Sequence, residues 1–109
     1  MRAFNAGSEY AEPWQDAHTY AAGLRVPRAV GDFLMLRALR ESGGGAIAVT
    51  DEAMAVAVRQ LGSLTGVFGA PEGGAAVAAV PLMCDRGVVR AEDEVVIFNT
   101  GRGLKYVAP

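Results

Sequence analysis

An α/β fold, with two short parallel strands and about three to four helices, is predicted by the order of apolar patterns along this 109-residue chain. Three observations carry that prediction. Stretches with apolar residues at helical spacing alternate with short runs that are apolar without a break, the pattern of strands buried on both faces. The two runs are separated by helical patterns and not by a tight turn, so their connection is a crossover, which makes the pair parallel and right-handed. The apolar share of 51% is carried by Ala, Val and Leu, with only 7% aromatic residues, a composition that suits helices packed on a small sheet.

Residues 1–26 are polar and irregular. Met1–Gly7 reads as the tail of a helix with Phe4 as its apolar contact, and Glu9–Trp14 as a surface loop in which Pro13 holds Glu12 extended. Trp14 needs cover that this segment hardly supplies. Thr19–Gly23 reads as one helical turn closed by Gly23 as a left-handed cap, followed by extended Leu24–Pro27. The first long helix begins at about Arg28 or Gly31 and ends at Glu41. Val30, Phe33, Leu34, Leu36, Ala38 and Leu39 form its apolar face, Asp32 suits its N-terminal dipole, and Ser42–Gly45 stops it. Ala46–Val49 is the first buried strand. Thr50 or Asp51 caps the next helix, whose stripe of Met54, Ala57, Val58 and Leu61 follows the i, i+3, i+4, i+7 rule, with Gly66 as its C-cap. Pro71 opens a further helix at the first-turn position it favours, and Glu72 faces the positive end of the dipole. Ala75–Cys84 is apolar all round, so burial on most faces is expected, with Cys84 as a small core residue. Pro81 within it removes one backbone bond and forces a kink or a cost of roughly 3 kcal/mol. Gly87 ends this helix, Ala91–Glu94 turns, Val95–Phe98 is the second buried strand, and Val107–Pro109 is a frayed end.

Composition excludes several functions. A net charge of −2, with nine arginines scattered from Arg2 to Arg102, offers no clustered basic face for nucleic acid. The longest uncharged stretch near Gly73–Cys84 is about a dozen residues, short of the roughly 20 a membrane span needs. The first residues lack the apolar core of a signal peptide, and one cysteine forms no internal disulfide, so a cytoplasmic location is expected. One histidine (His18) and one cysteine (Cys84) do not make a metal site of three or four protein ligands.

Asn99–Lys105 concentrates a hydroxyl, two glycines and two cations at the carboxyl end of the second run, where α/β sheets bind ligands. Thr100 is either a ligand-facing hydrogen-bonding group or the cap of a turn, and Gly101 and Gly103 serve either close ligand approach or plain turn geometry. Arg102 reads as a phosphate contact or a surface residue. Neither nucleotide motif applies: position 106 is Tyr where a dinucleotide fingerprint needs Gly, and no Gly-Lys-Ser/Thr closes a phosphate loop.

Three blocks together carry a resemblance: Gly23-Leu24-Arg25-Val26-Pro27, Gly69-Ala70-Pro71-Glu72-Gly73-Gly74-Ala75-Ala76, and Asn99-Thr100-Gly101-Arg102-Gly103-Leu104-Lys105-Tyr106. In order and spacing they resemble the C-terminal third of threonine synthase, in the tryptophan-synthase β-like group of fold-type-II pyridoxal-phosphate (PLP) enzymes. The resemblance implies that residues 1–109 are the C-terminal part of an incomplete PLP-enzyme large domain. The family converts O-phosphohomoserine and water into threonine and phosphate, as amino-acid biosynthesis. Its pyridoxal 5'-phosphate forms a Schiff base with a lysine in the N-terminal part and is held by a glycine-rich phosphate loop. By the resemblance Thr100 hydrogen-bonds the pyridine nitrogen, Gly101 lies beside the cofactor, and Pro71–Gly74 belongs to the cofactor-side wall.

The departure is equally informative. The lysine-bearing segment, the phosphate loop and the small substrate domain have no counterpart here, and the single lysine, Lys105, matches the closing motif and not the Schiff-base position. No catalytic residue is therefore expected in this chain, and Met1 matches an interior position of the family, as in a truncated frame or a split gene product. A missing N-terminal portion, or a second copy joined through an exposed sheet edge, is the expected partner. The alternatives are an independent small α/β binding module and a complementing subunit of a split, dehydratase-like PLP enzyme.

Overall fold

Four helices account for the regular structure of the computed structural model, which describes residues 1–107. Ala108 and Pro109, expected to fray with Val107, lie outside the described residues. The helices are α1 (Arg2–Asn5), α2 (Asp32–Glu41), α3 (Asp51–Thr65) and α4 (Pro71–Asp85), with short 3₁₀ turns at Ala22–Leu24 and Gly103–Tyr106.

The start and stop signals work as the residues dictate. Thr50 caps α3 by accepting a hydrogen bond from Ala53 N at 3.2 Å. Gly66 closes it in the left-handed region at φ 75°, which a side chain would resist. Pro71 stands in the first turn of α4, and Gly87 follows its end at φ 68°. Gly23 is not a left-handed cap, because its φ is not positive; it is a glycine for a different reason, given below.

The core lies between α3 and α4. Met54 (3% exposed) and Ala57 (2%) of the expected stripe are buried, and Val58 and Leu61 are half-buried. Gly74 sets the distance between the two helices. A Cβ at that position would stand 2.6 Å from both the Met54 carbonyl oxygen and Val58 Cγ2, so the backbones approach as closely as they do because no side chain intervenes. The α2 face is less covered than its pattern predicts: Leu36 is buried, but Leu34 and Met35 are exposed and Val30 is 95% exposed. The expected all-round burial of α4 is also not met. Residues 75–80 are half-buried and Pro81, Leu82 and Cys84 are exposed, so Cys84 is not a core residue. The helix runs through Pro81, whose missing N–H leaves the Val77 carbonyl without its usual helical donor.

The two expected strands are not formed among the described residues. Ala46–Val49 and Val95–Phe98 carry neither helix nor ladder, and the bridge that occurs, between Gly69 and Arg102, is antiparallel. A strand exists through the hydrogen bonds of a neighbour, and neither run exchanges backbone hydrogen bonds with another segment of the described residues. With no sheet there is no parallel pair and no sheet edge to recruit a second copy. The side chains of the second run nonetheless alternate. Val95 and Ile97 line an open apolar groove of about 670 Å³ with Val56, Ala57, Val77 and Pro81. Val96 and Phe98 face away from it, each 81% exposed.

Candidate cofactor-side wall

The three glycine-bearing blocks, far apart in sequence, meet at the N-terminal end of α4. Ala70 N donates to Gly101 O at 3.0 Å and Gly103 N donates to Phe68 O at 2.9 Å, flanking the Gly69–Arg102 bridge. These bonds fasten residues 101–103 alongside 68–70. Gly103 permits the contact, since a Cβ there would lie 2.5 Å from Phe68 Cε2 and 2.7 Å from Gly69 O. On the other side Asn99 Oδ1 occupies the space that a side chain at Gly73 would need.

Glu72 joins the remaining block. Its Oε1 accepts from Gly23 N at 2.7 Å and from the Tyr106 hydroxyl at 2.5 Å. A Cβ at Gly23 would stand 2.7 Å from that same oxygen, which explains the glycine. Burial alone would push the Glu72 carboxyl up. The hydrogen bonds from Tyr106, its own backbone N–H and Gly23, with the nearby Lys105 charge, outweigh it and hold the group below its ordinary value. The Tyr106 phenol is correspondingly raised, first by donating to Glu72, then by burial and the Glu72 charge.

The segment before Gly23 is held similarly. Thr19 Oγ1 donates to Asp51 Oδ1 at 2.5 Å and Tyr20 N donates to Asp51 Oδ2 at 3.2 Å, at the start of α3. Earlier still, Ala11 N donates to the buried Asp32 at 2.6 Å. Arg2 lies over Trp14, its guanidinium carbon 4.2 Å from the ring centroid, but Trp14 stays 53% exposed, so its cover is partial.

Of the residues singled out in the sequence, Thr100 is exposed and sits between Asn99, packed on Gly73, and Gly101, fastened to Ala70. Thr100 is thus exposed on a backbone held on either side. Arg102 and Lys105 are exposed, and Lys105 lies in the 3₁₀ turn. His18 is exposed beside Asp51 and Glu52 in a second hollow, away from Thr100's loop. Among the described residues no group of three or more His, Cys, Asp or Glu could hold a metal ion. No described helix is long and apolar enough to cross a membrane. Glu72, Tyr106, Asn99 and Gly23 were legible as motif members but not as the groups that hold the motif together. A carboxylate in the first turn reads as a dipole partner, and nothing local shows that it reaches residues 49 positions before and 34 after.

Residues 1–101 match the pyridoxal-phosphate dependent enzyme family, and the chain belongs to that family. It is 34% identical over 105 residues to threonine synthase of Methanosarcina acetivorans and 30% identical over 105 residues to that of Methanocaldococcus jannaschii. Each alignment covers 96% of this chain and 26% of the relative. Threonine synthase 2, chloroplastic, of Arabidopsis thaliana is 31% identical over 88 residues, 81% of this chain and 17% of that protein. The chain thus spans about a quarter of the length of the first two relatives.

The donor set fits one edge of such a cofactor. Thr100 offers an exposed hydroxyl on a fastened loop, the chemistry that one ring nitrogen needs. The N-terminus of α4, the kind of helix start that can favour an anion, does not fit the phosphate. Ala70, Pro71, Gly73 and Gly74 are buried, and the Glu72 carboxylate already places a negative charge there.

Proposed function

We propose that residues 1–109 form the C-terminal part of the large domain of a PLP-dependent, fold-type-II threonine synthase, and that they furnish one wall of its cofactor site. The observation that carries this reading is the meeting of the three threonine-synthase-like blocks around one helix N-terminus, with the Thr100 loop fastened there. Identity of 30–34% with two threonine synthases over nearly the whole chain supports the substrate class, O-phosphohomoserine, and the products, threonine and phosphate.

Pyridoxal phosphate, when bound, supplies the electron sink for chemistry next to an amino-acid α-carbon. Thr100 would donate a hydrogen bond from its hydroxyl to the ring nitrogen; a hydroxyl keeps its own proton and so, unlike a carboxylate, suits an unprotonated pyridine. Gly101 presents bare backbone beside Thr100, which would let a cofactor ring approach the loop closely. Lys105 does not serve as the covalent anchor, because it lies exposed in the closing 3₁₀ turn and matches the closing motif rather than the anchor position. The lysine, the phosphate loop and the substrate pocket come from the portion that corresponds to the other three-quarters of the relatives, whether on a longer chain or on a separate one that this chain complements. That portion also gives Ala46–Val49 and Val95–Phe98 the neighbours they need to become strands. Without it the chain is inactive.

The test combines this chain with the Methanosarcina acetivorans threonine synthase shortened by its C-terminal quarter. The expected result is visible cofactor absorbance and phosphate release from O-phosphohomoserine in the mixture, from neither part alone, with Thr100→Ala lowering the release. PLP and borohydride added to this chain alone should leave Lys105 unmodified. A mixture that binds PLP with equal affinity for Thr100→Ala would remove Thr100 from the site, and a stable adduct on Lys105 would contradict the assignment of the anchor elsewhere.

A further inference from the structure

Glu72 lies in the middle block, and its carboxylate holds the other two. One oxygen, Oε1, receives the Gly23 N–H from the first block and the Tyr106 hydroxyl from the third. Everything between Asn99 and Tyr106 is then bounded at both ends. Asn99 packs on Gly69 and Gly73, and Tyr106 is tied to Glu72. The bond between Gly103 and Phe68 and that between Ala70 and Gly101 lie within this span. Thr100, one residue from Asn99, has its position set by these ties.

We propose that Glu72 is the positioning residue of this wall: its carboxylate clamps the Thr100-bearing turn and the Gly23 segment to the start of α4 and so fixes where the Thr100 hydroxyl points. The proposal rests on the cofactor-facing reading of Thr100, but its test contains no cofactor.

The chemistry of the clamp is specific. Both donors use one oxygen, so a glutamine, which keeps a carbonyl oxygen at the same reach, retains the clamp in neutral form. An aspartate, one methylene shorter, does not reach both donors. The other charged or titratable groups near Glu72 are Lys105 and Tyr106 in the closing turn and Tyr20 from the Gly23 side. Tyr20 in turn lies in the field of Asp51 and Arg59 on α3. Asp51 holds the neighbouring Thr19 hydroxyl and Tyr20 N–H, so the glutamine variant serves as the reference that separates the two carboxylates.

The sign of the pH dependence follows. The Glu72 pKa is lowered on folding, so the stability its charge contributes is present above the unfolded value of 4.5 and is lost as pH falls through the lower folded value. The Tyr106 pKa is raised, so its share is present below the unfolded value of 10.0 and is lost as pH rises through the higher folded value. The clamp therefore holds across the whole neutral range and opens at either extreme.

The experiment is amide hydrogen exchange and two-dimensional NMR on the full chain, with Ala70 N–H and Gly103 N–H reporting on the wall and the amides of α3 as control. In Glu72→Ala and Glu72→Asp both reporters should exchange about tenfold faster or more, as loss of a charge-assisted bond implies, while α3 stays protected. Glu72→Gln should keep them protected at neutral pH. In the unmutated chain the Gly23 amide resonance should titrate with a midpoint below 4.5 and the reporters should follow it; in Glu72→Gln that step should vanish. Unchanged reporters in Glu72→Ala, an identical acid step in Glu72→Gln, or random-coil resonances for residues 99–106 in the unmutated chain would each overturn the proposal. Its failure leaves the threonine synthase reading untouched, whereas an intact clamp with no PLP binding in the complementation mixture sinks that reading alone.

Discussion

A methyl group added at Gly74 has no room, because the Met54 carbonyl and Val58 Cγ2 already stand 2.6 Å from where it would go. Neither is the free end of a long side chain, so α4 must move away from α3. Gly62, on α3, has the opposite situation: the nearest atom to an added Cβ is Val67 O at 3.8 Å, an ordinary contact, and its φ is not positive. Gly62→Ala therefore gains helix stability of about 0.4–1 kcal/mol by narrowing the unfolded ensemble. Gly74→Ala should lose about 1–3 kcal/mol through overpacking. Urea unfolding followed by circular dichroism measures both, and a stabilised Gly74→Ala would refute the close approach of the two helices. Neither difference is visible in the sequence, where each is a glycine inside a helical pattern. Thr100 was legible in a different way. Its residue type and motif marked it, but its exposure and the ties on either side of it depend on atoms from residues 68–73.

At the scale of elements, the same device recurs at three helices. Asp32 in the first turn of α2 accepts from Ala11 N, Asp51 in the first turn of α3 accepts from Thr19 and Tyr20, and Glu72 in the first turn of α4 accepts from Gly23 and Tyr106. Each carboxylate suits the positive end of its helix and also binds backbone from the irregular residues 11–23. A segment with almost no secondary structure is thereby strung along three helix starts. The helices themselves were readable, because caps and periodicity are local: Thr50, Gly66, Pro71 and Gly87 act where their chemistry says. The strands were not, because a strand is a property of two segments, and among the described residues Ala46–Val49 and Val95–Phe98 carry no ladder. Within α4, Pro81 is the one residue that opposes its element. Pro81→Ala restores the backbone bond to the Val77 carbonyl, which should outweigh the added freedom of the unfolded chain and raise stability by about 1–2 kcal/mol. A melting temperature that falls in Pro81→Ala would show instead that its ring, which lines the apolar groove, matters more than the missing bond.

The whole molecule is a slab, 40 × 38 × 19 Å, with a radius of gyration of 14.6 Å. A compact domain of this length has about 13 Å, so the chain is spread wider than its length requires. The same flatness leaves no large side chain fully enclosed among the described residues, and it leaves Val96 and Phe98 each 81% exposed on a run whose alternate residues, Val95 and Ile97, face the groove beside α3 and α4. That alternation has the period of two that strands show, although the run carries no ladder among the described residues. Contiguous bare apolar surface is rare on proteins that stand alone and marks a contact surface. Val96→Lys/Phe98→Lys tests this at the scale where it belongs. The two side chains touch little of the α3–α4 core, so far-ultraviolet circular dichroism should be unchanged. Binding of a hydrophobic dye and concentration-dependent association in sedimentation should both fall. In the mixture with the shortened Methanosarcina acetivorans enzyme the same pair of lysines should abolish complementation, because two charges on the outer face of this run cannot be buried without partners. Full complementation by the double variant would show that the outer face of this run stays in solvent even in the assembled enzyme, and that the missing layer covers the chain elsewhere.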